Sequence, residues 1–121
     1  MKPFGIAIVV LTIFSALALG AGVRGKWKGS VIGREGARAV YFLFEAEGER
    51  LTGKMIDNHG DNLISEGKIE GDQLSFTIVY DLSGDKVKRV YRGTLSGDEI
   101  HFTCQAENGE NRRDFTVRRM Q

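Results

Sequence analysis

The chain has 121 residues, 41% hydrophobic and 27% charged, with a net charge of +1; this is the balance of one soluble globular domain, and it excludes a disordered or collagen-like chain and a multidomain enzyme. Sixteen glycines against a single proline, Pro3, favour tight turns between strands over helices, and the lone Cys104 excludes an intramolecular disulfide. The cancelled charge gives no field that would draw the chain to nucleic acid.

Met1 to Gly20 begins with Lys2 and then runs apolar from Phe4 to Leu19, interrupted only by Gly5, Thr12 and Ser15. This is the form of a secretory signal peptide. Ala18 and Gly20 are short side chains at the positions a signal peptidase tests, so cleavage is expected near Gly20/Ala21. An apolar run of roughly 16 residues is short for a membrane span, which needs about 20. The expectation is therefore a signal peptide over 1–20 and a domain over 21–121, secreted or periplasmic, with no stable membrane span after cleavage. A mature chain of about 100 residues holds one small core.

From Val23 onward the apolar residues alternate with period 2, and no window has helical spacing. The alternation predicts strands over Val23–Ile32, Ala39–Ala46, Arg50–Asp57, Asn62–Glu70, Gln73–Asp81, Lys86–Leu95, Glu99–Ala106 and Arg113–Met120. Gly, Asn and Asp cluster between them, from Gly33–Gly36 and Glu47-Gly48-Glu49 through Asn58–Asp61, Gly71-Asp72, Ser83–Asp85 and Ser96–Asp98 to Asn108–Glu110, which is hairpin chemistry. An internal repeat supports this reading. Gly67-Lys68-Ile69-Glu70-Gly71-Asp72-Gln73-Leu74-Ser75-Phe76-Thr77 recurs as Gly93-Thr94-Leu95-Ser96-Gly97-Asp98-Glu99-Ile100-His101-Phe102-Thr103, each copy a hairpin reversing at Gly-Asp.

Parity assigns one apolar face: Val23, Trp27 and Val31; Val40, Phe42 and Phe44; Leu51 and Met55; Leu74, Phe76, Ile78 and Tyr80; Val87, Tyr91 and Leu95; Ile100, Phe102 and Cys104; Phe115 and Val117. The opposite face carries Arg24, Lys26, Lys28, Ser75, Thr77, Lys88, Arg92, His101 and Arg118 and should be wet. No helix is available to cover an apolar sheet face, so the sheet must close on itself. The predicted fold is an all-β, eight-stranded antiparallel up-and-down meander closing into a small barrel.

Gly25-Lys26-Trp27 on the first strand resembles the opening signature of the calycin superfamily of lipocalins, fatty-acid-binding proteins and avidins. In those families a basic residue near the chain end packs over the first-strand tryptophan, and parity in Phe115-Thr116-Val117-Arg118-Arg119 gives that place to Arg119. The resemblance thus implies barrel closure by Trp27 and Arg119. The Gly-x-Trp start, Leu51-Thr52-Gly53 and the repeated hairpins also resemble small glycine-rich β domains of exported bacterial proteins. The second and third lipocalin motifs and avidin's biotin-binding constellation are not matched, so the resemblance implies an architecture and no particular ligand.

Candidate chemistry is sparse. Asp57, His59 and Asp61 crowd one turn without the cysteine or second histidine a strong metal site would bring, and no metal or cofactor is expected. Cys104 follows His101 but points to the opposite face; it is expected to be a buried small hydrophobe, or a thiol able to link two chains. Glu45, Glu47, Glu49 and the Asp98-Glu99 pair offer carboxylates for glycoside cleavage, yet all lie near turns, and the expectation is that the chain is not an enzyme. Arg24, Lys26, Lys28 and Arg118 should form a surface basic patch beside Arg112 and Arg113. Glycines at inward parity (Gly25, Gly29, Gly53, Gly93) would either leave a shallow ligand pocket near Trp27, Tyr80 and Tyr91 or relieve crowding. The leading expectation is an exported non-catalytic binding module, monomer or dimer, for a glycan, another envelope component or an exported partner protein. The alternatives are a carrier of a small apolar ligand, and an inhibitor of a hydrolase with Asn58–Asp61 as its wedge.

Overall fold

The computed structural model describes residues 22–33 and 36–121. The expected signal segment, and with it the cleavage position, lies outside the described residues. Nine strands follow in order: β1 (Gly25–Gly33), β2 (Gly36–Glu47), β3 (Arg50–Asp57), β4 (Gly60–Leu63), β5 (Ser65–Glu70), β6 (Gln73–Leu82), β7 (Asp85–Ser96), β8 (Glu99–Ala106) and β9 (Arg113–Arg119). They form one antiparallel sheet in which β1, β2, β3, β5, β6, β7, β8 and β9 pair in succession and β9 pairs back onto β1. The eight-stranded barrel is therefore closed, and β4 is an extra strand held on β3.

The expected fourth strand, Asn62–Glu70, is broken in two. Ile64 leaves the ladder to pack against the core, and the β5–β6 register slips between Ser65 and Lys68, with Glu66 at φ 54°. This is a β-bulge, one extra residue on one strand. It also explains Thr77, which sits on the outward side yet is buried. Its hydroxyl lies 2.9 Å from the Ser65 hydroxyl and donates to the Glu66 carboxylate at 3.1 Å, under the bulged segment.

The repeated hairpins share one geometry. Ile69 faces Leu74 across β5–β6, as Leu95 faces Ile100 across β7–β8. Gly71 (φ 63°) and Gly97 (φ 61°) hold the first turn position, where the left-handed backbone of a two-residue hairpin favours glycine.

The core matches the parity reading: Val23, Trp27, Val40, Phe42, Phe44, Leu51, Met55, Leu74, Phe76, Ile78, Tyr91, Ile100, Phe102, Cys104, Phe115 and Val117 are all buried, joined by Ile69. Phe42 is its hub, with ring centroids 5.2 Å from Phe44 and 5.3 Å from Phe102. The inward glycines make no pocket here. A Cβ on Gly93 would lie 2.6 Å from the Phe102 ring, one on Gly29 would lie 2.6 Å from Val117, and one on Gly53 would overlap the Leu43 carbonyl oxygen. They let neighbouring strands approach.

Gly53 combines that overlap with φ 146°, whereas Gly84, at φ 93°, has open space around its Cα. Gly84→Ala should cost about 1 kcal/mol, the conformational cost alone, and Gly53→Ala about 3 kcal/mol or more, because backbone must also move. Urea unfolding of both variants measures the difference.

Candidate functional site

The turns of a closed meander fall alternately at its two ends, so the barrel has two separate termini to consider. At one end lie Gly22–Arg24, just ahead of β1, and the β2–β3, β5–β6 and β7–β8 turns. Trp27 is wholly buried there, its indole N–H donating to the Val23 carbonyl at 3.0 Å. Arg119, directly opposite in the β1–β9 register, lays its guanidinium 4.3 Å from the ring centroid. The same guanidinium donates to Asp98 Oδ1 (3.0 Å), to the Arg24 carbonyl (2.9 Å) and to the Gly22 carbonyl. One side chain thus ties together the Gly22–Arg24 segment, the first and last strands and the β7–β8 turn. This end is filled.

The other end holds the β3–β4 and β6–β7 turns and the β8–β9 loop, and a cavity of about 260 Å³ opens into it. Its walls are Val31, Val40, Val87, Met55 and Phe115, with Tyr80 and Tyr91. The tyrosine hydroxyls lie 2.6 Å apart, and each is 3.9 Å from the Met55 sulfur. Burial raises the Tyr80 phenol to about 12, although its bond with Tyr91 acts the other way; burial, then the Tyr80 charge, raises Tyr91 as well. Arg38, Arg89 and Arg113 complete the lining with Asp57, His59 and Cys104. Cys104 is 4% exposed and accepts a hydrogen bond from Arg89 Nε at 3.1 Å. Arg89 also donates to the Asn111 carbonyl at 2.8 Å.

Comparison with known proteins adds to this geometry. Neither the protein-family models nor the curated proteins give a match. Among solved structures, a variant of the fluorescent protein UnaG, a fatty-acid-binding-protein-like β-barrel of the calycin superfamily, matches at TM-score 0.53 and 12% identity over 84% of this chain and 98% of that one. The fold is a calycin-like small β-barrel. At this identity the likeness speaks for the architecture alone.

Within the calycin-like barrel the residues singled out in the sequence fall in three places. Trp27 does not line the cavity; it belongs to the opposite end, so the pocket grouping of Trp27 with Tyr80 and Tyr91 is corrected to the two tyrosines. The basic patch lies on the outside, with Arg24 paired to Glu45 (3.4 Å), Arg118 to Glu99 (2.6 Å), and Lys28 over the Tyr41 ring at 5.6 Å; Lys26 is exposed. Arg113 lines the cavity instead of extending that patch. Of the turn cluster, Asp57 and His59 line the cavity, while Asp61 pairs with Lys54 at 2.9 Å. No group of three His, Cys, Asp or Glu among the described residues could hold a metal ion. His101 bonds the Thr116 hydroxyl outside the barrel, away from Cys104.

The residues that sequence reasoning missed are Arg38 and Arg89. Both continue the inward parity of their strands, Arg38 two residues before Val40 and Arg89 two before Tyr91. A charge at inward parity near a strand end was the signal that could have found them.

Trp27→Ala should cost about 3–5 kcal/mol and Arg119→Gln about 1–2 kcal/mol, read from denaturant melts. The tyrosine pair sets an alkaline limit. A phenol whose folded-state pKa is raised contributes stability fully present below its ordinary value near 10, lost as pH rises through about 12. Stability measured from pH 9 upward should therefore fall steeply for the native chain and less for Tyr80→Phe.

Proposed function

We propose that the chain is an exported, non-catalytic binding module that takes a small ligand into the cavity beside Tyr80 and Tyr91. The observation that carries this reading is the contrast between the two barrel ends. One is stoppered by Trp27 and Arg119; the other leaves an open cavity with apolar walls and a few convergent polar groups, the usual make-up of a small-molecule site. The run Met1–Gly20 supports export.

Non-catalytic binding is favoured by the way the candidate catalytic groups are engaged. Glu45, Asp98 and Glu99 form ion pairs on the outside of the barrel, and Cys104 takes its hydrogen bond from Arg89, with no histidine as partner. Recognition through the outer basic patch has less support, because Arg24 and Arg118 already carry carboxylate partners.

Native mass spectrometry of the full chain's product, recovered from the exported fraction of its own host, tests both parts. The expected result is a chain beginning near Ala21 with a stoichiometric small adduct. Val87→Phe, which fills the cavity, should remove the adduct while shifting melting temperature little. A bare native chain, or an adduct unchanged in Val87→Phe, would overturn the reading.

A further inference from the structure

We propose that the end cavity is an anion site: its ligand is a compact, largely apolar molecule bearing one oxyacid group, a carboxylate, sulfonate or sulfate, held by Arg38, Arg89 and Arg113. This rests on the cavity being a binding site and deepens that reading by naming the ligand class.

Three arginines line the cavity, from β2, β7 and β9. Among the described residues none has a carboxylate within salt-bridge distance, whereas Arg24, Arg112, Arg118 and Arg119 all do. Arg50 and Arg92 also lack one, but neither lines the cavity. Asp57 is the single carboxylate of the lining, and its Oδ1 accepts from the His59 backbone N–H at 2.9 Å. A guanidinium cannot relieve repulsion by losing its proton. Three of them around one apolar-walled mouth therefore make a standing positive potential that an anion would cancel.

A second observation is independent of charge counting. Arg38 Nε is buried with no hydrogen-bond partner, the one such side-chain atom among the described residues. Buried donors in folded proteins nearly always have acceptors, so this one marks where an acceptor is missing. The tyrosine pair adds another donor: one hydroxyl proton serves the 2.6 Å contact, and the other faces only the Met55 sulfur at 3.9 Å, a weak acceptor that an oxyacid oxygen would outcompete. Arg89 is held in place by Cys104 and the Asn111 carbonyl, so the cluster is partly pre-organised. The volume of about 260 Å³ limits the apolar part to a compact body such as a fused ring.

Two dyes that differ by one sulfonate give the test: 8-anilinonaphthalene-1-sulfonate and its uncharged counterpart N-phenyl-1-naphthylamine, each titrated against the protein and followed by dye emission, since Trp27 is remote from the site. The expected result is 1:1 binding of the sulfonate dye, about tenfold or more tighter than the neutral one, with most of that preference lost in Arg38→Gln and in Arg113→Gln. Added salt should weaken the sulfonate dye selectively. Thermal melts establish which variants fold, and Arg113, more exposed than Arg38, carries the test if Arg38→Gln does not. Equal binding of both dyes, unchanged in the variants, would overturn the anion assignment and leave the cavity reading intact. Binding of neither dye would overturn both. A sulfonate preference lost in Arg118→Gln but kept in Arg38→Gln and Arg113→Gln would place the anion on the outer patch and overturn the assignment.

Discussion

The structure depends on a single constraint: a sheet with one apolar face and no helix to cover it can bury that face only by meeting itself. Closure is made where the first strand meets the last, with Trp27, Lys28 and Gly29 opposite Arg119, Arg118 and Val117. Few ladder bonds join this seam, and the Arg119 guanidinium reinforces it by reaching the indole face, the Asp98 carboxylate and two backbone carbonyls at once. Once the ring is closed, the phenylalanines of β2, β6, β8 and β9 fall within stacking distance, although they are far apart in the chain.

Closure also fixes the division of labour between the two ends. An up-and-down chain places odd and even turns at opposite rims, so each inward residue has a height along the axis set by its distance from a turn. Trp27, early in β1, is low on that scale, while Tyr80 and Arg38 are close to the opposite rim. The apolar residues between them interlock into a floor. What is left above the floor is a cavity whose polar groups come from four hairpins and therefore from widely separated positions in the sequence.

This geometry explains what could be read in advance. Period 2 reports which face a side chain takes, and it placed Phe42, Ile78, Cys104 and the others inside because that information is local. The grouping of Trp27 with Tyr80 and Tyr91 failed because face alone says nothing of height. The split at Ile64 was hidden for a related reason: a bulge preserves the general alternation while shifting its phase by one residue, so Asn62–Glu70 still looks like one strand. Arg38 and Arg89 were overlooked since charge was taken as a mark of the wet face. Their side chains follow the parity of Val40 and Tyr91, and only the closed ring shows that Arg113 arrives at the same rim. The stoppered end, by contrast, was legible to the residue, because Trp27 and Arg119 lie on strands whose alternation is unambiguous.

The extra strand β4 has a consequence for motion. It is held by one ladder, to β3, and lies beside β6 without pairing to it, so that among the described residues β6 beyond Thr77 is laddered to β7 alone. Leu63 at its end is 77% exposed. Opening such a strand breaks few apolar contacts and leaves the eight-membered ring closed. The β3–β4 turn that precedes it carries His59 at the rim of the cavity, so the least anchored strand of the sheet adjoins that rim. Its amides should exchange hydrogen with water through local openings far cheaper than global unfolding, so the motion of this strand is set apart from the lifetime of the barrel itself.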